Sequence, residues 1–258
     1  MVAVFDAIQR ILDAEEFGSV ISVVSGEDTG SKAVLDFDGR LVAGSLPAGT
    51  DQEIRADAVK LMKNEQRRAL DYDSVSVFIE TLAPPQDLLI FGAVHIGQSL
   101  ALFAGQMGYR VTIVDARAAF ATEERFSTAH RVLVGWPGDL MDQLLFDRRT
   151  WVVVLAHDQR HEDPVLEAAL KSDVRYIGAM GSKRTHDLRL GRLREKGFSD
   201  ADVARVHGPV GLDIGAETPQ EVAVSILAEM TKVRYGHGTG VSLHGRPGRV
   251  HLQRPEGT

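Results

Sequence analysis

Five short, continuous apolar runs constrain the fold of this chain more than any other feature. They lie in its second part and read DLLIFG, RVTIVDA, RVLVG, WVVVLA and VRYIGA, with helical periodicity between them. Runs of this kind are typical of strands that are covered on both faces, as in parallel sheets. Strands that alternate with crossover helices form a doubly wound sheet. We therefore predict an α/β protein with a Rossmann-like doubly wound parallel sheet.

The segment before Pro84-Pro85 has a different pattern and predicts a smaller N-terminal α+β domain, of a size that can fold alone. Its predicted elements are a short acidic helix with Val4, Ile8, Ile11 and Leu12 on one face, a strand over 19–25, a hairpin around Asp38-Gly39, a charged helix over 51–70 and a strand over 74–80.

These patterns divide the chain into four parts. We predict the N-terminal domain over 1–82, a stiff, exposed linker over 83–86, the Rossmann-like domain over 87–235 and a disordered tail over 236–258. The last helix should begin with Thr218 as its N-cap, Pro219 at its first position and Glu221 completing a capping box.

Composition excludes several classes of protein. With 44% hydrophobic and 25% charged residues the chain matches ordinary globular usage, and its formal charge of −7 argues against nonspecific nucleic-acid binding. No apolar run approaches the roughly 20 residues that span a bilayer, and Asp6 lies where a signal peptide would be basic. We therefore expect a soluble, cytoplasmic protein with no nucleic-acid or membrane partner.

The sequence contains no cysteine. A disulfide, a zinc–thiolate site, an iron–sulfur cluster and a covalent persulfide carrier are therefore excluded for these residues.

The loop after the first apolar run resembles a dinucleotide fingerprint. In LLIFGAVHIG, Gly92 and Gly97 take the outer glycine positions of G-x-G-x-x-G, but Val94 replaces the middle one. That glycine lets the backbone approach a pyrophosphate, so Val94 counts against ordinary NAD binding. Asp115 ends the second run, where an acid commonly holds ribose hydroxyls. The alternative is a sheet of this type with a purely structural turn.

Polar residues also follow the other runs, and the carboxyl ends of strands in open α/β sheets form the ligand crevice. Gly181-Ser182-Lys183-Arg184 opens a helix and offers N–H groups, a hydroxyl and two cations to a phosphate-sized anion, although a simple helix cap explains it equally well. The candidate ligand-binding residues are Gly92, His95, Gly97, Asp115, Arg117, His157, Gly181, Ser182 and Lys183.

A metal site is the weaker interpretation of the segment after the fourth run. His157 and His161 lie four residues apart among the acids Asp158, Glu162 and Asp163, but the zincin spacing is absent. Asp163-Pro164 is better explained as the start of a helix. The loop over 207–221 carries glycines that let backbone approach a ligand, or that form a structural turn.

Two long segments resemble the XdhC/CoxI family, the accessory proteins of molybdenum hydroxylases such as xanthine and carbon monoxide dehydrogenase. They are YIGAMGSKRTHDLRLGRLREKGFS and HGPVGLDIGAETPQEVAVSILAEM, supported by FGAVHIG, VDAR, ERF and LAHDQRHEDPVLEAAL. The resemblance covers about 87–233. It implies a chaperone that binds molybdenum cofactor, works with a cysteine desulfurase, delivers the cofactor to an apo-hydroxylase, and forms homodimers.

Two departures from the family pattern concern the cofactor. The family loop usually reads G-A-G-H, so Val94 is unusual, and the family's GGC segment corresponds here to GSLPAGTDQEI, which lacks the cysteine. The chain either holds the cofactor through its pterin and phosphate, works beside a cysteine-bearing paralogue, or has lost cofactor handling.

We see no nucleophile–base pair. The resemblance implies an accessory protein rather than a catalyst, and the residues suited to a phosphate agree with it. The cofactor expected from the resemblance is molybdopterin, with or without a nucleotide. An NAD(P)-dependent oxidoreductase and a noncatalytic docking module remain the alternatives.

Overall fold

The computed structural model describes residues 2–156 and 158–244 and contains two separate β-sheets. The first is a five-stranded antiparallel sheet, and the second is a six-stranded parallel sheet. The predicted fold class, a Rossmann-like parallel sheet with a smaller α+β unit before it, is confirmed. Within the described residues, no helix is long and apolar enough to cross a membrane.

The antiparallel unit has the strand order β3-β2-β1-β5-β4. Its elements are α1 (Val2–Asp13), β1 (Gly18–Ser25), β2 (Lys32–Asp36), β3 (Leu41–Gly44), α2 (Asp51–Lys63), β4 (Arg68–Tyr72) and β5 (Val75–Leu82). The hairpin around Asp38-Gly39 is confirmed between β2 and β3, where the Asp36 carboxylate accepts hydrogen bonds from the backbone N–H groups of Asp38 and Arg40.

The parallel sheet has the strand order β11-β10-β9-β6-β7-β8. Its strands are β6 (Gln86–Phe91), β7 (Tyr109–Asp115), β8 (Arg131–Val134), β9 (Thr150–Val154), β10 (Tyr176–Ala179) and β11 (Val206–His207). Its helices are α3 (His95–Gln106), α4 (Gln159–Leu170), α5 (Lys183–Glu195), α6 (Asp200–Val203) and α7 (Pro219–Tyr235). Helices α3 and α7 cover one face, and α4 and α5 cover the other.

The structure corrects two predicted boundaries and adds one strand. The helix expected over 51–70 ends at Lys63, because Glu65 adopts a left-handed φ of 48°, and Arg68–Tyr72 forms β4. Helix α4 begins at Gln159 rather than at 163, since Asp158 provides its N-cap. The two-residue strand β11, at the sheet edge, was not predicted because it carries no apolar run.

The linker expected over 83–86 is only partly exposed. Strand β5 ends at Leu82 and β6 begins at Gln86, so the connection itself is short. Pro84 and Gln86 are buried, and the Gln86 side-chain amide donates to the Pro84 carbonyl and accepts from the Trp151 indole at 2.9 Å. The connection is therefore fixed to the parallel-sheet unit by Gln86 and is not a free spacer.

Two glutamates hold the antiparallel unit against the amino ends of the parallel strands. Glu15 contacts Arg110 and Arg149 at 2.8 and 3.3 Å, and Glu65 contacts Arg175 and Arg234 at 2.6 Å each. These glutamates follow α1 and α2, and they are the two non-glycine residues with positive φ in the described part of the chain. The antiparallel unit thus lies at the edge opposite the carboxyl ends of the strands.

The C-terminal segment is described only in part. Helix α7 ends at Tyr235, and its C-cap Gly236 takes the left-handed conformation with φ 64°. Residues 237–244 contain no helix or strand, and 245–258 lie outside the described residues, so the predicted disorder of the tail stays a prediction.

Candidate functional site

The parallel sheet has one topological switch point, between β6 and β9. The chain runs outward from β6 through β7 to β8 and then returns to the other side of β6 as β9. Doubly wound sheets bind ligands in the crevice outside the carboxyl ends of the strands at such a point. The loops after Phe91 and Val154 border it, and they are joined by the hydrogen bond from the Leu155 N–H to the Phe91 carbonyl at 2.8 Å.

The glycines after β6 are required by close backbone packing. Gly92 has φ 125°, and a Cβ atom there would lie 3.2 Å from the backbone of Leu155 and Ala156. A Cβ atom on Gly97 would lie 2.7 Å from the Gly92 carbonyl oxygen. Both glycines therefore shape the loop through packing, which is the structural role that the sequence left open.

The amino end of α3 opens toward the crevice. Val94 occupies the N-cap position, and its side chain has no oxygen that could accept from the first N–H groups of the helix. It is half-buried and packs on the core. His95 is the first helical residue and is exposed. The first turn of α3 therefore presents N–H groups and a positive dipole end without a side-chain cap.

Asp115 lies at the end of β7 and is fully engaged within the protein. One carboxylate oxygen accepts from the Arg117 N–H and Nε, and the other accepts from the Ala93 N–H at 2.7 Å and Arg117 Nη2 at 2.7 Å. Burial alone would raise the pKa of Asp115, but these hydrogen bonds outweigh it and lower the pKa to about 2. The carboxylate thus ties the glycine loop to β7.

Arg125 supports the same loop and was not singled out from the sequence. Its guanidinium donates to the carbonyls of Ala93 and Phe120 and to the Gln98 amide oxygen, at 2.8 to 3.3 Å. The only available signal was its position in the ERF segment, which carries no chemistry by itself.

The segment of Gly181, Ser182 and Lys183 follows β10, which is separated from β6 by β9. Strand spacing places β10 about 10 Å from β6. The Ser182 hydroxyl caps α5 by accepting from the Thr185 N–H at 3.1 Å, so the capping explanation holds for this residue. Lys183 is exposed in the first turn of the helix, and Gly181 has φ 144°. Both Ser182 and Lys183 are exposed, but the serine hydroxyl is engaged in the cap of α5.

The residues weighed as metal ligands have other partners. Asp158 caps α4 and pairs with Arg160, whose hydrogen bonds lower the pKa of Asp158 to about 2. The His161 ring packs 4.5 Å from that of Trp136. Glu162 is buried against Arg189 at 2.6 Å. His157 lies outside the described residues.

The loop over 207–221 is fixed to the sheet by Glu229, a residue that the sequence did not mark. Its carboxylate accepts from the Tyr176 hydroxyl and the Gly211 N–H and contacts His207 Nδ1 at 3.2 Å. Burial would raise the pKa of Glu229, but the hydrogen bonds from these groups lower it. The predicted capping box of Thr218 and Glu221 is confirmed at the end of the loop.

The parallel sheet and its switch point define a Rossmann-type protein. The family model of the XdhC Rossmann domain matches residues 88–230, which is more than half of the chain. The chain belongs to the XdhC family.

Curated relatives share about a third of their aligned residues with this chain. They include an uncharacterised protein, YqeB, of Escherichia coli (32% identity over 62% of this chain and 30% of the relative) and a protein of Bacillus subtilis described as a probable xanthine dehydrogenase component (31% over 62% and 47%). The molybdenum cofactor insertion chaperone PaoD of Escherichia coli is 30% identical over 73% of this chain and 52% of the relative. The chain thus spans between about a third and about half of the length of these relatives.

A solved structure supports the same fold. A protein described as a xanthine dehydrogenase from Bacillus halodurans superposes with a TM-score of 0.54, covering 93% of this chain and 98% of that structure, at 18% identity.

Proposed function

We propose that this protein is an accessory chaperone that binds molybdenum cofactor and assists its insertion into a molybdenum hydroxylase of the xanthine or carbon monoxide dehydrogenase type. Family membership and the relative named as a molybdenum cofactor insertion chaperone support the role. The observation that best supports cofactor binding is the first turn of α3 at the switch point, which has no side-chain cap. Lys183 is exposed two strands away.

The residues present suit the phosphate and pterin end of the cofactor. A phosphate is stabilised by the N–H groups and dipole of a helix amino end, and an exposed ammonium adds long-range attraction. We propose that His95, which is exposed in the first turn of α3, contacts polar edges of the bound group. Arg117 is already paired with Asp115, so Lys183 carries more of the electrostatic attraction.

The residues present do not suit a thiolate contact to the metal end. The sequence contains no cysteine, so this chain supplies no thiolate ligand and carries no persulfide. Sulfur exchange on the cofactor would require a separate cysteine desulfurase. We include that enzyme, the apo-hydroxylase and a second copy of this chain among the proposed partners.

Cofactor content of the purified protein tests the proposal. The full chain is produced in cells that make molybdenum cofactor, oxidised, and assayed for the fluorescent pterin derivative and for molybdenum. We expect near-stoichiometric pterin, a clear loss in Lys183→Ala, and no loss in Lys232→Ala, which removes an exposed lysine at the far end of α7.

Absence of pterin, even after anaerobic incubation with free cofactor, would contradict the proposal. It would favour the noncatalytic docking module, which requires a stable complex with a hydroxylase and no bound cofactor.

A further inference from the structure

The geometry points to Arg117 as a specificity residue that fills the ribose position of the crevice, so that the site rejects ligands carrying a nucleotide ribose. This inference builds on the proposed function, because it assigns the cofactor form without a nucleotide to this protein. The argument rests on the acid at the end of β7, which in dinucleotide-binding sheets holds the ribose hydroxyls.

The hydrogen-bonding capacity of Asp115 is exhausted. An ionised carboxylate has two oxygens and about four lone-pair positions. Two donors reach each oxygen of Asp115, namely three groups of Arg117 and the N–H of Ala93, at 2.7 to 2.9 Å. A ribose diol needs two acceptor positions on the same carboxylate. It can bind only by displacing the guanidinium.

Access to the carboxylate is also closed. The Asp115 side chain is 2% exposed, whereas the Arg117 side chain above it is 50% exposed and covers it from solvent. A ribose approaching from the crevice therefore meets the guanidinium before it meets the carboxylate.

Neighbouring groups hold Arg117 in place. Its guanidinium lies 4.5 Å from the ring centre of Phe120, and the Phe120 carbonyl accepts from Arg125 at 2.8 Å. Stacking and a bidentate ion pair together fix the guanidinium plane. Displacing the guanidinium would break both its bidentate ion pair with Asp115 and its stacking contact with Phe120.

Val94 also disfavours a dinucleotide, because it lies where the pyrophosphate would approach the backbone. It replaces the glycine that allows a pyrophosphate to approach the backbone, and its side chain packs on the core of the sheet. A compact phosphomonoester needs neither the diol acceptor nor the approach along the loop.

Titration with NAD⁺, monitored by calorimetry, tests the inference without molybdenum cofactor. We expect binding at least tenfold tighter in Arg117→Ala than in the wild type, because Asp115 becomes accessible. The double variant Arg117→Ala/Asp115→Asn should lose that gain. Arg40→Ala should match the wild type, since it frees an aspartate two residues away in the antiparallel unit.

Two results would overturn the inference. One is wild-type binding of NAD⁺ that weakens in Arg117→Ala, which would make Arg117 a ligand contact. The other is no gain in a folded Arg117→Ala protein, with folding checked by thermal melting. If Arg117→Ala does not fold, Arg117→Gln replaces it, and the same gain is required.

The nucleotide content of the pterin bound by the wild type provides a second readout. Acid hydrolysis should release less than about one tenth of a nucleotide per pterin, and a stoichiometric nucleotide would also overturn the inference. A protein that lacks pterin but gains NAD⁺ binding in Arg117→Ala would contradict the proposed function alone.

Discussion

Glu65 and Glu15 are matched sites for measuring how burial changes the contribution of an ion pair to the free energy of unfolding. Each follows a helix, adopts a left-handed backbone conformation, and contacts two arginines of the parallel-sheet unit. They differ in burial, since the side chain of Glu65 is 6% exposed and that of Glu15 is 38% exposed. We predict that Glu65→Ala destabilises the protein much more than Glu15→Ala does.

The magnitude follows from solvation. Removing one partner of a buried pair leaves an uncompensated charge and costs about 3–5 kcal/mol. Arg175 is such a partner, because burial lowers its pKa and it depends on Glu65 for compensation. The Glu15 pairs are open to water, where an ion pair contributes about 1 kcal/mol or less. Alanine keeps the Cβ atom, so the left-handed strain is the same before and after either substitution.

Urea denaturation followed by tryptophan fluorescence measures both free energies of unfolding, with Trp151 in the core of the parallel sheet as a reporter. A difference of at least about 2 kcal/mol between the two variants is expected. Equal losses, or a loss below about 1 kcal/mol for Glu65→Ala, would refute the reasoning from burial.

Two further predictions concern the crevice. The pKa of Asp115, about 2 against an ordinary 3.8, means that its ionised form stabilises the fold above pH 4 and that this contribution is lost as the pH falls through 2. Urea denaturation at pH 6 and at pH 2 measures how much free energy of unfolding is lost on acidification. This loss should be smaller in Asp115→Asn than in the wild type by roughly 2 kcal/mol, and equal losses in the two proteins would contradict the prediction. Gly97→Ala should cost about 1–3 kcal/mol, because its Cβ would meet the Gly92 carbonyl, while Gly191→Ala, with nothing within 4 Å, should stabilise α5 by up to about 1 kcal/mol. Thermal melting of both variants tests this. If the melting temperature rises in Gly97→Ala as it does in Gly191→Ala, the neighbouring backbone moves to accommodate the new Cβ atom and the prediction is wrong.

The parallel sheet could be predicted because its strands are marked by local composition. Strand β9 is buried throughout and apolar from Trp151 to Val154, and the capping box at Thr218 consists of neighbouring residues. Strand β4 could not be predicted, since its alternation RALDY continues a charged helical pattern. The left-handed Glu65 that separates β4 from α2 is stabilised by arginines more than a hundred residues away.

For the candidate site, the sequence predicts which residues follow the strand ends but not the contacts of their side chains. Residues after strand ends could be assigned to the crevice because parallel topology brings those ends to one edge. Whether Asp115 faces a ligand or its neighbour Arg117 depends on side-chain torsions, which spacing does not determine. Glu229 was missed because its partners Tyr176 and His207 come from strands distant in the sequence.

The attachment of the antiparallel unit determines how this protein can move. Glu15 pairs with Arg110 of β7 and with Arg149 directly before β9, Glu65 pairs with Arg175 directly before β10 and with Arg234 of α7, and Gln86 of the connection accepts from Trp151. Because these contacts lie at three separate places, the first unit cannot swivel about one of them without breaking contacts at the others. The first unit therefore acts as a brace on the second, and the loops at the carboxyl edge of the parallel strands lie outside this brace.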